Sequence, residues 1–343
     1  MPKRNRNIPA AFSLGDTFLL KLKDKELGSL GDYYPNKLTS DGYPLPGYMF
    51  YGGGYSAGTI SNVQRLDTQN DTYSVNRGIF SYRKSEFGGS GNSNYAWYTG
   101  GRNPAVGGVG ALSSIQRIDY ANDLEGTSNR GSLDVARRTG NNLTGNSNYA
   151  WSSGGYNGSY LSSTSRIDYN ADLSTGSPRG NLSSSRSSHT ATGTATYGWT
   201  TGGETFPTYY SFVDRITYSS DLSTGSPRSN LAVIRSNHAS ICDGTYFWTA
   251  GGNNYTTNYS SVDRTTIASD LSTATVRCNL AGGDTVSTAF KNTTYGWWAG
   301  TGYPGTQRAV DRMTLSSDLS TATRFTNTSP VGTGSPGHSA FNI

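Results

Sequence analysis

Tyr197-Gly198-Trp199-Thr200-Thr201-Gly202-Gly203 is a short aromatic stretch ending in two glycines, and versions of it return along most of the chain. The copies run Tyr48-Met49-Phe50 into Gly53-Gly54, Tyr95-Ala96-Trp97 into Gly100-Gly101, and Tyr149-Ala150-Trp151 into Gly154-Gly155. They continue as Tyr246-Phe247-Trp248 into Gly251-Gly252 and Tyr295-Gly296-Trp297 into Gly300 and Gly302, split by Thr301. From Phe50 to Trp297 the spacings are 47, 54, 48, 49 and 49 residues. A fixed period of this length marks a solenoid, a propeller or an array.

Around this stretch the pattern is that of strands. Tyr197 and Trp199 share one face by period-two alternation, and glycine at the end permits a positive φ or a close backbone approach. A loop, Glu204 to Phe212, leads to a second strand, Val213-Asp214-Arg215-Ile216-Thr217-Tyr218. The turn Ser219-Ser220-Asp221-Leu222 follows, its Ser and Asp able to accept from nearby backbone N–H groups. A third strand ends near Arg228, and Leu231, Arg235 and His238 lead into a fourth up to Cys242. Four short antiparallel strands in about 50 residues make one propeller blade.

The order of features resembles the kelch family: Trp199, the pair Gly202-Gly203, then Arg235 with His238 three residues on. The resemblance covers residues 48–343. It departs at the third strand, where kelch repeats usually carry Trp and this chain has Leu124, Leu173, Leu222, Leu271 and Leu319 in Asp-Leu turns. Six copies imply an all-β fold, a six-bladed kelch-like β-propeller over residues 48–343. The end, His338 to Ile343, aligns with the strand before Tyr246 and lacks a successor, so it is expected to pair with Tyr48 to Tyr51 and close the ring. Closure through Phe12 to Leu20 is the alternative.

Residues 1–47 match no copy and read as an extended N-terminal arm. Its basic tip holds Arg4 and Arg6, and Phe12, Phe18, Leu19, Leu20 and Leu22 are too apolar for a solvated tail. They are expected to dock on the propeller rim or on another protein; an ordinary extension packed on its own domain is the other reading.

Composition narrows the function classes. Of 343 residues, 33% are hydrophobic and 15% charged, suiting short strands and tight turns. No apolar run reaches membrane-spanning length, and no export signal is visible. Cys242 and Cys278 read as free thilols of a reducing compartment. The whole chain has 28 Lys and Arg against 23 Asp and Glu; seven and five of these lie in residues 1–47, so the repeats hold 21 against 18. Arg and Asp alternating through near-neutral repeats do not make a nucleic-acid groove.

Repetition also governs the chemical candidates. His189, His238 and His338 occupy one slot in three copies, which marks a structural element rather than a zinc set. Arg65, Arg117, Arg166, Arg215, Arg264 and Arg312 stand in the second strands, and Asp71, Asp123, Asp172, Asp221, Asp270 and Asp318 in the turns that follow. Such pairs are expected to hold sectors in register within a blade or between blades. No nucleophile elbow, metalloprotease helix or phosphate loop is present, so neither enzyme activity nor a cofactor or metal is expected.

The loops after the glycine pairs break the symmetry. They carry Tyr156, Tyr160, Phe206, Tyr209, Tyr210, Tyr255 and Tyr259, residues that either cover blade junctions or form an adaptable recognition face. The Ser/Thr/Asn-rich repeats, with turns such as Asp221-Leu222-Ser223-Thr224-Gly225-Ser226-Pro227-Arg228, resemble those of virion proteins of tailed bacteriophages, notably of the cyanophage type. That resemblance implies a structural virion protein made in the host cytoplasm and present in many copies. Other tail or capsid proteins would be its partners through the arm, with neither nucleic acid nor a membrane span involved. A lectin-like module binding host glycans is the alternative.

Overall fold

The computed structural model describes residues 48–52, 61–67, 72–139, 143–302 and 307–326. They form an all-β propeller with short 3₁₀ turns and no α-helix. Five blades have four antiparallel strands each, and we name them by their central tryptophan. The Trp97 blade comprises Gly88–Gly91, Tyr95–Thr99, Leu112–Asp119 and Ser128–Arg137; the Trp151 blade Leu143–Gly145, Tyr149–Ser153, Thr164–Asp168 and Ser177–Arg179. The Trp199 blade comprises Thr190–Gly193, Tyr197–Thr201, Phe212–Thr217 and Ser226–Asn230. Ala239–Cys242, Tyr246–Ala250, Ser261–Thr266 and Thr275–Asn279 form the Trp248 blade, and Asp284–Lys291, Tyr295–Gly302, Gln307–Thr314 and Thr323–Thr326 the Trp297 blade. The first copy, Tyr48–Gly52, Asn62–Asp67 and Thr72–Ile79, is a three-stranded sheet.

Six copies predict six blades; among the described residues five four-stranded blades are formed. The strand expected to complete the first sheet, 338–343, lies outside the described residues, as does the arm, 1–47. In the described blades the phase is as expected: the last strand of one copy pairs with the aromatic strand of the next, as Ala239 with Ala250 and Cys242 with Phe247. First strands of successive blades lie side by side around the axis. The expected turn at 219–222 is a 3₁₀ turn, Tyr218–Ser220, ended by Asp221, and Tyr218 belongs to it rather than to the strand.

The core is cut into sectors between blades. Trp97, Trp151, Trp199, Trp248 and Trp297 are all at most 1% exposed. Each ring takes on the order of 200 Å² out of water, worth about 5 kcal/mol before entropy. Tyr169 of the next blade stacks on Trp97 at 3.9 Å, and Tyr218 on Trp151 at 4.0 Å.

The repeated Arg and Asp residues join neighbours across these sectors. Arg65 reaches Asp123, Arg117 Asp172, Arg166 Asp221, Arg215 Asp270 and Arg264 Asp318, always from one sheet to the next, at 2.8–3.2 Å. The tryptophan of the same blade donates its indole N–H to that carboxylate: Trp97 to Asp172, Trp151 to Asp221, Trp199 to Asp270 and Trp248 to Asp318. A fourth-strand arginine completes the latches of Asp172, Asp221, Asp270 and Asp318, such as Arg228 on Asp270 at 2.7 Å. Burial would raise the Asp172, Asp270 and Asp318 carboxyls, but the Arg and Trp donors outweigh it and hold them below their usual range.

A second set of cations enters the blades from the connections between them. Arg235, fully buried, donates to the carbonyls of Gly251 and Ser261 and to Asp263 at 2.9 Å; Arg186 meets Asp214 at 3.2 Å. Burial pushes the Asp263 carboxyl up and the Arg235 guanidinium down, so each keeps its charge through the other. In the Trp151 blade Ser165 stands where Asp214 does, and the carboxylate comes from Asp134, bonded to the Ser165 hydroxyl and near Arg137. In the Trp297 blade Asp311 is satisfied by Arg324 of its own fourth strand at 2.8 Å. The Trp97 blade alone of the five has neither partner: Lys84 fills the arginine slot and Gln116 the aspartate position.

Candidate functional site

The glycine pairs decide where the loops go. In the four intact pairs among the described residues both glycines have positive φ, as in Gly202 (58°) and Gly203 (101°). The second amide bonds the carbonyl of the slot arginine: Gly101 to Arg137, Gly155 to Arg186 and Gly203 to Arg235, each at 2.9 Å. A side chain at Gly203 would stand 2.7 Å from the Ser187 carbonyl oxygen. The chain therefore leaves the second strand against the blade-to-blade connection, and bridges follow at Ser85–Arg102, Arg138–Tyr156, Ser187–Glu204 and Ser236–Asn253. Loops and connections share one face of the disc.

That face separates the predicted aromatic residues into two groups. Tyr210 and Tyr259 are half-buried: the Tyr210 carbonyl accepts from Arg235 N at 3.0 Å and its ring lies 4.7 Å from Phe212, while Tyr259 packs 5.4 Å from the Arg235 guanidinium. Tyr156 serves both roles, with backbone bonds to Arg138 and a ring 5.2 Å from Tyr160. Tyr160, Phe206, Tyr209 and Tyr255 form the outward part. The hairpin Glu204–Thr205 and Thr208–Tyr209 carries Phe206 at its tip, and Phe206 N donates to the Tyr160 hydroxyl at 3.0 Å. On its other side Phe206 meets Tyr255 at 6.0 Å between centroids, so loops of three successive blades supply the patch.

Tyr255 is held outward under strain. It is 77% exposed with φ +76°, where a side-chain-bearing residue is unfavourable, and the Asn254 carboxamide fixes the turn by accepting from Thr257 N. Phe206 is 57% exposed. Glu204, at the base of the same hairpin opposite Tyr209, accepts from Ser188 Oγ at 2.9 Å. Partial burial, then the Glu204 carboxylate, pushes the Tyr209 hydroxyl up to about 12. Glu204 was not singled out in the sequence, although it is the one formal charge in loops 156–163, 204–211 and 253–260.

The histidines lie elsewhere. His189 and His238 are buried, with Nε2 on the carbonyls of Ser153 and Thr201 in the preceding blade, both at 3.0 Å. Burial, then the arginine charge in the adjacent slot, lowers His238 to about 3 and His189 well below its ordinary value. His338 lies outside the described residues. Among the described residues no three His, Cys, Asp or Glu side chains come together as a metal site. On the axis a cavity of about 320 Å³ is lined by first strands of the five blades, with Ser90, Thr144, Thr192 and Ser240 among its residues. No described helix is long and apolar enough to cross a membrane. Neither a scan against protein-family models nor a search of curated proteins gives a match.

Proposed function

We propose that this protein is a rigid, non-enzymatic platform on the particle of a tailed bacteriophage, a six-bladed kelch-like ring whose seam joins 338–343 to 48–51 and whose residues 1–47 attach it. The observation that carries the reading is the division of labour between the two faces. One face bears the variable loops. The opposite face, where third strands turn into fourth, presents one exposed leucine per four-stranded blade: Leu124, Leu173, Leu222, Leu271 and Leu319, each 67–73% exposed. A regular apolar ring on one side suits contact with an assembly, leaving the loops turned outward. The recurring carboxylates support a structural role because Asp172, Asp221, Asp270 and Asp318 are each occupied by Trp and Arg donors of the neighbouring blade.

The test is cryo-electron microscopy of purified particles from the source of this chain. Discs seated leucine face down, with residues 1–47 entering a tail or capsid neighbour, are the expected result. Absence of the chain from every particle, or incorporation of a 48–343 fragment at the level of the full chain, defeats the platform or the arm respectively.

A second reading, recognition of host-surface glycan by the loop face, is favoured by Phe206 and Tyr255, two exposed rings held together by loops of different blades. Both readings fit one tail fibre or spike.

A further inference from the structure

We infer that the patch formed by Tyr160, Glu204, Phe206 and Tyr255 takes a neutral sugar, stacked by its C–H face on the two exposed rings, and excludes sialylated, sulfated and other anionic glycans. The assignment rests on the recognition reading above and adds the ligand class to it.

Charge decides the class. The three loops hold one formal charge, the carboxylate of Glu204, and otherwise offer hydroxyls, amides and rings. The arginines of the adjoining connections are buried or ion-paired. Arg186 and Arg235 are fully buried against Asp214 and Asp263, and Arg138 lies over Tyr156 while pairing with Glu86 at 3.3 Å. An anionic sugar would therefore meet a carboxylate with no exposed guanidinium in these loops among the described residues, a repulsion without compensation. A neutral pyranose offers what the patch can use: an apolar face for the rings and hydroxyls that donate to Glu204. Preorganisation supports a ligand rather than idle exposure, since Tyr255 is strained into the open and Phe206 is held by the hydrogen bond its backbone N–H donates to the Tyr160 hydroxyl.

The test is a glycan array probed with the full chain at low and high salt, carrying neutral, sialylated and sulfated glycans. Binding confined to neutral glycans, insensitive to salt, and reduced at least tenfold in Tyr255→Ala and in Phe206→Ala is expected, with melting temperatures unchanged in both exposed-site variants. Anionic-only binding that is lost in Tyr255→Ala overturns the neutral class while keeping recognition by this face. Neutral binding that persists in the double variant places the site elsewhere and overturns the assignment. No binding to any glycan, or binding only to another protein through these rings, overturns the recognition reading with it.

Discussion

Lys84 is the weak point of the ring, and replacing it with methionine should stabilise the protein in a pH-dependent way. The amine is 0% exposed, its one hydrogen bond is a long 3.4 Å contact with the Tyr98 carbonyl, and the rings of Phe80 and Phe87 flank it at 5.1 and 4.8 Å. Burial lowers its pKa from 10.5 to about 7. Between those values the unfolded chain binds a proton that the folded chain does not, so stability rises with pH through this window and is constant below it. At about 1.4 kcal/mol per unit, the penalty at pH 7 is about 4 kcal/mol. Cation–π attraction to the two rings returns about 1–2 kcal/mol, leaving a net gain of about 2–3 kcal/mol for Lys84→Met at pH 7. At pH 9 the gain should shrink by about 2 kcal/mol. Other titratable groups near the site, Glu86, Arg102 and Arg138 in their ion-paired cluster and the buried Tyr98 hydroxyl, are common to both proteins and cancel in the difference. Urea unfolding of both proteins at pH 6, 7, 8 and 9 is the assay. A difference that is flat with pH, or a destabilised methionine variant, would refute the reasoning.

Other outcomes follow from the latches and faces. Asp270→Ala strands the Trp199 indole N–H and two arginines, Arg215 and Arg228, and should cost about 3–5 kcal/mol in denaturant unfolding; Asp270→Asn should cost less because an acceptor remains. Because Asp172, Asp270 and Asp318 titrate below their ordinary 3.8, their contribution is complete above that value and is lost as pH falls through the lower folded values. Acid unfolding followed by circular dichroism should therefore begin below about pH 4. Gly203→Ala, at φ +101° and 2.7 Å from the Ser187 oxygen, should lose more than about 1 kcal/mol, measured by thermal melting. Leu173→Asp with Leu222→Asp should leave the melting temperature within a few degrees while abolishing particle incorporation, since both leucines are exposed.

The repeat and its strand order were legible from sequence because they are local: aromatic alternation, the glycine pair and the Asp-Leu turn recur within each copy. Period alone also placed the histidines and arginines as copies of one element. Which partner each took was not legible, since pairing within a blade and between blades satisfy the same pattern. Only the packed ring shows Arg215 and Trp199 converging on Asp270, about 70 residues from Trp199. The same holds for the loop tyrosines, which are chemically alike in sequence. Neighbouring elements half-bury Tyr210 against Phe212 and Tyr259 against Arg235 and gather Phe206 with Tyr255, and that sorting depends on contacts across blades. Lys84 and Gln116 could be read as substitutions in their slots, but their cost is set by burial. Burial is a property of the closed packing between blades, so it was decided by the tertiary structure.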